Sequence, residues 1–169
     1  MHDQARYEPL ERSAFFGDER SSRPLVEGTV ARGQLRDDGP FYTGKVDNKP
    51  VEIFPLEVTE DLLKRGQERF NIFCTPCHDR TGSGQGMVVR RGFRRPNSFH
   101  IDRLRQAPVG YFFDVITNGF GVMPSYAEQI PVRDRWAITA YVRALQLSQH
   151  ATWNDVPENE RKKLEQGQP

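Results

Sequence analysis

The chain has very little cysteine: two in 169 residues, Cys74 and Cys77. A disulfide framework is therefore excluded, because the one available bridge would close only a tiny loop. Long hydrophobic runs are missing as well. Nothing approaches the roughly 18 apolar residues of a membrane span, and the richest patch, Y-F-F-D-V-I, is interrupted by Asp114. The opening M-H-D-Q-A-R-Y-E-P has no apolar stretch of the kind that marks an export leader. Methionine is scarce, with three residues, so any role for it falls on few candidates. The chain is 36% hydrophobic and 28% charged, lean for one tight core, and its 14 glycines and 12 prolines call for much loop. The length suits one domain with extensions.

Both cysteines fall in one pentapeptide, C-T-P-C-H, residues 74–78. That spacing is the signature of c-type haem attachment. Each thiol adds to one vinyl group of a single haem, and His78 supplies an axial nitrogen to its iron. A zinc site is the next reading. It needs about four N or S ligands, here Cys74, Cys77, His78 and one of His2, His100 or His150, and adjacent Cys77 and His78 strain a tetrahedron. A thioredoxin-type dithiol needs a βαβ pattern, and none surrounds the motif. Attachment of haem to thiols takes place after export, so the chain is expected to be a processed product that once carried an upstream segment.

An iron held by His78 needs a second ligand or an open position, and methionine is the common partner. Met1 lies on a polar arm. Met87, in T-G-S-G-Q-G-M, follows His78 by nine positions, too few to pass around the porphyrin edge. Met123, in N-G-F-G-V-M-P-S-Y, follows it by 45. Its glycines allow the backbone close to a ring and Pro124 fixes the chain beyond it. Met123 is the expected ligand and His100 the rival. Methionine also fills core gaps, which is the plain alternative.

Residues 1–58 show no sustained helical or strand period, yet keep scattered aromatics (Phe15, Phe16, Phe41, Tyr42, Phe54). They read as an extended arm lying along partner subunits, or as a tether. Thr59 predicts a helix N-cap with acids in the first turn. Leu62, Leu63, Gly66, Phe70 and Phe73 then share one face. Residues 80–108 read as loop, 109–118 as a short helix ending at Gly119, and P-V-R-D-R-W-A-I-T-A-Y-V-R-A-L-Q-L from Pro131 as a second strong helix. Residues 148–169 read as a polar tail. The domains expected are therefore 1–58, 59–147 and 148–169.

The order helix, C-T-P-C-H, loop, short helix, M-P loop, helix resembles the class I cytochrome c fold over residues 59–147, a mostly α architecture. The resemblance implies that the first and last helices cross near a glycine and aromatics. Gly66 and Phe70 stand at the first-helix positions, and Trp136 or Tyr141 at the last. It also implies a proline whose carbonyl accepts the imidazole N–H of the proximal histidine. Pro96, in R-R-P-N-S-F, is the candidate. R-Y-E-P-L-E-R-S-A-F-F-G-D, V-E-G-T-V-A-R-G, N-I-F-C-T-P-C-H and G-M-V-V-R-R-G-F further resemble the mono-haem cytochrome c subunits of bacterial alternative complex III, a membrane quinol:electron-acceptor oxidoreductase. That resemblance implies one covalent haem c, with iron held by His78 and Met123, and a multihaem cytochrome subunit as neighbour. It also implies an oxidase or soluble carrier as acceptor, and a lipid anchor upstream of this chain at the periplasmic face of the inner membrane. A subunit of that kind carries electrons and is no enzyme by itself. The alternative is a haem enzyme or gas sensor with an open distal site lined by His100 or Arg94.

The net charge of +1 hides a division. Residues 1–58 carry 8 Lys and Arg against 11 Asp and Glu, whereas residues 59–147 carry 13 against 8. Arg80, Arg90, Arg91, Arg94 and Arg95 cluster between the haem motif and Pro96. Such charge steers an acidic redox partner or pairs haem propionates. The basic run is too short to suggest nucleic-acid binding.

Overall fold

A computed structural model describes residues 4–166, so Met1 and His2 lie outside the described residues. The described chain falls into two compact units, one ending at Asp37 and the other beginning at Asp38.

The first unit has no helix or paired strand among its described residues. It is built from turns and one isolated antiparallel bridge, Arg12 with Arg20. Arg12 pairs with Glu19 and Arg23 with Asp18, and the Arg23 guanidinium lies over the Phe16 ring at 4.1 Å. Leu10, Phe15 and Leu25 stay exposed.

The second unit is helical. Its scaffold is α1 (Gly39–Thr43), α2 (Glu60–Phe73), α3 (Thr75–His78), α4 (Asp102–Arg105), α5 (Val109–Asn118), α6 (Val132–Ser148) and α7 (Glu158–Glu165). A two-stranded hairpin, β1 (Lys45–Val46) and β2 (Lys49–Pro50), lies between α1 and α2, with Lys45 opposite Pro50 and Val46 opposite Lys49. Asp47 and Asn48 both take positive φ at its turn, the geometry of a tight two-residue hairpin. Among the described residues no helix is long and apolar enough to cross a membrane.

The compact unit therefore begins about twenty residues before the expected boundary at 59. Residues 38–58 lack a period, but their aromatics are spent on the core. Phe41, Val51, Phe54 and Leu56 pack against Val109, Phe113 and Trp136. The Trp136 indole donates to the Phe41 carbonyl at 2.7 Å, and its ring stacks on Phe113 at 4.2 Å. The Gly110 N–H donates to the Val51 carbonyl and the Val51 N–H to the Gly44 carbonyl, both at 2.9 Å, tying α5 to the chain beside the hairpin, and a Cβ on Gly110 would come within 2.2 Å of the Gly44 carbonyl.

Helix α2 starts where Thr59 accepts the Leu62 N–H, with Glu60 and Asp61 complementing the dipole. Leu62, Gly66 and Phe70 are its buried stripe, and they face α6. Gly66 has no room for a side chain, since a Cβ there would stand 2.0 Å from the Ala137 carbonyl oxygen. Tyr141 is the aromatic at this crossing, 5.4 Å from the Phe70 ring, whereas Trp136 faces Phe113 of α5 and Phe54. The Arg65 guanidinium grips Asp134 through two bonds of 3.0 and 2.8 Å, tying α2 to α6.

The stretch 80–108, expected as loop, holds a single turn of 3₁₀ helix at Val89–Arg91 and the short α4. It is stapled by α6: Arg143 donates to the Leu104, Arg105 and Ala107 carbonyls, and Gln146 to Phe99 O at 2.7 Å. The polar end is not a bare tail either, since it forms α7 with no buried residue.

Candidate haem site

The site grows out of the end of α2. The Cys74 N–H still donates to Phe70 O, so the helix delivers the first thiol without a break. Pro76 sits inside the single turn of α3, and His78 is that turn's last residue. Cys74 and Cys77 are both free thiols and half-buried. Burial, with Cys77 beside it, pushes the Cys74 thiol up to about 12. It therefore stays protonated at neutral pH, unlike the thiolates of reactive dithiols and metal sites. Among the described residues no three His, Cys, Asp or Glu side chains converge to hold a metal ion.

His78 lies in apolar surroundings. Its ring stacks on Phe99 with centroids 4.6 Å apart and planes 14° apart. Burial pulls its pKa down to about 4, so the imidazole is neutral. Its buried Nδ1 has no hydrogen-bond partner, a cost that a folded chain seldom leaves unanswered. The Pro96 carbonyl does not meet it. That carbonyl closes over Gly84, where a Cβ would stand 2.5 Å away, and the Gly84 N–H donates to His78 O.

Met123 is half-buried at the rim of the core cluster formed by Phe70, Phe112, Ile116, Ile130 and their neighbours, which Phe73, Cys74, Phe99 and Tyr126 also border. It pairs with Phe120 through reciprocal backbone bonds of 3.0 Å. Gly119 takes φ +81°, and a Cβ there would meet the Met123 carbonyl at 2.5 Å. Cys74 and Met123 thus border one apolar cluster. Met87, by contrast, is exposed and lines an open groove with Arg80, Arg90 and Arg91. His100 is engaged elsewhere: its Nε2 lies 2.7 Å from Thr81 O, and its ring stacks on His150. Arg94 is exposed.

A haem c fits this set. Two half-buried thiols stand three positions apart, a neutral imidazole with an unmatched nitrogen follows, a thioether borders the same apolar cluster, and aromatic rings line it. Among the basic residues, Arg90 donates to Gln85 O and Arg95 to Ser83 O, while Arg80, Arg90, Arg91, Arg94 and Arg95 are all exposed.

Three residues at the site escape motif reading. Phe99 covers the imidazole. Tyr126 sits beside both cysteines, and its phenol is raised by burial and then by Cys74 and Cys77. Asp79 accepts hydrogen bonds from Thr81, Ser83 and Gln85. Burial opposes its charge, but these donors prevail and hold the carboxyl well below the usual carboxylate range. Only Asp79 left a signal, an acid followed by T-x-S-x-Q with glycines between, the makings of a side-chain-organised turn.

Residues 61–142 match the profile of the family described as cytochrome C oxidase, cbb3-type, subunit III. No curated protein sequence matches the chain. Among solved structures, a chain of the Kuenenia stuttgartiensis reducing HAO-like protein complex is similar at 24% identity and a TM-score of 0.48. The match covers 63% of this chain and 54% of that one, so this chain spans about half the length of that relative.

Proposed function

We propose that residues 61–142, which match the cbb3-type subunit III profile, form a class I c-type cytochrome domain, and that the chain built around them is the electron-carrying subunit of a membrane quinol:electron-acceptor oxidoreductase of the alternative complex III kind. It takes electrons from a multihaem cytochrome subunit and passes them to an oxidase or a soluble carrier at the periplasmic face of the inner membrane, where an upstream lipid anchor holds it. The observation that carries the domain's chemistry is the half-buried imidazole of His78, its buried Nδ1 unpartnered, directly after two half-buried thiols. The complex is supported by the sequence resemblance of both the arm and the haem motif, and by an arm that exposes Leu10, Phe15 and Leu25.

A haem c held here supplies one-electron iron chemistry when bound. Cys74 and Cys77 would hold it covalently and His78 and Met123 would ligate its iron, while the Pro96 carbonyl lies over Gly84 and leaves the His78 Nδ1 unmatched. Phe73, Phe99, Phe112 and Tyr126, which belong to or border the same apolar cluster, would keep water from it. Electron transfer makes and breaks no bond, so these residues bind and tune. Burial and a methionine ligand both favour the reduced, less charged iron.

Two experiments test the reading. Met123→Ala in the haem-loaded protein lowers the reduction potential and lets the reduced form bind carbon monoxide, which wild type does not. An unchanged potential, or carbon monoxide binding by wild type, contradicts the ligand assignment. Purification of the tagged chain from its native membrane brings down a multihaem cytochrome, and added quinol reduces this chain's haem. A chain that isolates alone and stays oxidised contradicts the complex.

A further inference from the structure

The loop after His78 is organised around one carboxylate. Asp79 Oδ1 accepts from the Thr81 N–H and hydroxyl, both at 2.6 Å, and from the Ser83 N–H at 3.4 Å. Oδ2 accepts from the Gln85 N–H at 2.9 Å and from the Ser83 hydroxyl. Odd-numbered residues thus turn inward to the carboxylate. Even-numbered ones turn outward to the haem-attachment turn: Gly84 N–H donates to His78 O, Gly86 N–H to Cys77 O and Val88 N–H to Pro76 O, each at 3.0 Å. These three carbonyls form the end of α3, where a helix leaves its acceptors open. The fit is close, since a Cβ on Gly86 would stand 2.2 Å from Pro76 O. The same loop places the ring against His78, because the Phe99 N–H donates to Gly82 O at 2.9 Å and Gly82 has no room for a Cβ beside Phe99.

We propose that Asp79 is a positioning residue for His78. Its carboxylate sets the course of residues 79–88, which clamp the backbone of Pro76, Cys77 and His78 and hold Phe99 against the imidazole. In the haem-loaded protein it thereby fixes the orientation of the axial ring. The inference rests on the reading of His78 as an iron ligand.

The test uses the full chain with haem attached. Asp79→Asn keeps the Oδ1 bonds but presents a donor to Gln85 N–H and the Ser83 hydroxyl. Gly86→Ala strains the clamp without touching the carboxylate. The pattern of shifted haem-methyl proton resonances in the oxidised protein reports the orientation of the axial ligands, and circular dichroism reports the helices. Both variants are expected to shift the methyl pattern while the helical signal stays at its wild-type value. A wild-type methyl pattern and potential in both Asp79→Asn and Asp79→Ala overturns the inference alone. Loss of helix in step with the methyl shift also overturns it, because Asp79 then acts on the fold as a whole. A wild-type chain that carries no haem overturns the functional reading and this inference with it.

Discussion

Asp79 takes φ +56° with ψ 177°, a positive-φ conformation that is strained for a residue with a side chain and that the surrounding hydrogen bonds must hold. The pH response of the loop follows from its hydrogen bonds. Burial raises the carboxyl's pKa, while Ser83, Thr81 and Gln85 lower it further, so the folded value lies below the unfolded one near 3.8. The ionised group then contributes stability above the unfolded value, and that contribution is lost as pH falls through the acid range beneath it. The thermal midpoint should decline on acidification below about pH 4, and the decline should be smaller in Asp79→Asn. Equal declines in the two proteins would contradict the assignment. At this scale the haem motif was legible, because the chemistry demands that spacing. Phe99 and Tyr126 were not. They reach the site through contacts between segments some twenty to fifty positions apart, for which a single sequence carries no marker.

Between elements, the α2–α6 crossing bears the domain. Gly66 meets the Ala137 carbonyl, and Tyr141 lies within 3.0 Å of a Cβ placed there. Gly66→Ala should therefore push the helices apart and destabilise the domain by about 1–3 kcal/mol, read as a lower denaturant midpoint. An unchanged midpoint would show that the crossing tolerates a methyl group. The 3.6-residue period located Gly66 and Phe70 on one face, yet left Trp136 and Tyr141 undecided. Both lie on α6, and which one meets α2 depends on how the helix is rotated by partners outside it. Those partners include Phe54 and Leu56, just beyond a hairpin whose two-residue strands are too short to leave a period. Asp47 and Asn48 were its only local sign, a pair suited to the positive φ of such a turn.

On the scale of the whole chain, residues 38–58 belong with the helices, and truncations should separate them from the arm. Extending a deletion from residues 1–37 to residues 1–58 removes Phe41, Val51, Phe54 and Leu56 from Trp136 and takes away the indole's acceptor. The added loss should be about 3 kcal/mol or more, the scale of emptying an aromatic site, measured by thermal or denaturant unfolding of the two truncated chains. Equal stability of the two would return the boundary to residue 59. The five exposed arginines after the haem motif make a further expectation: electron exchange with an acidic partner should slow as ionic strength rises. A rate independent of salt would assign those charges another role.

The central claim is that Cys74 and Cys77 hold a haem covalently, and one measurement meets it directly. Purified native protein is denatured and extracted with acidified organic solvent, and the reduced spectrum of the polypeptide fraction is taken in alkaline pyridine. The account predicts that the colour stays with the polypeptide and that the spectrum is that of a haem joined through two thioethers. Colour that leaves with the solvent, or a protein that never had any, would contradict it.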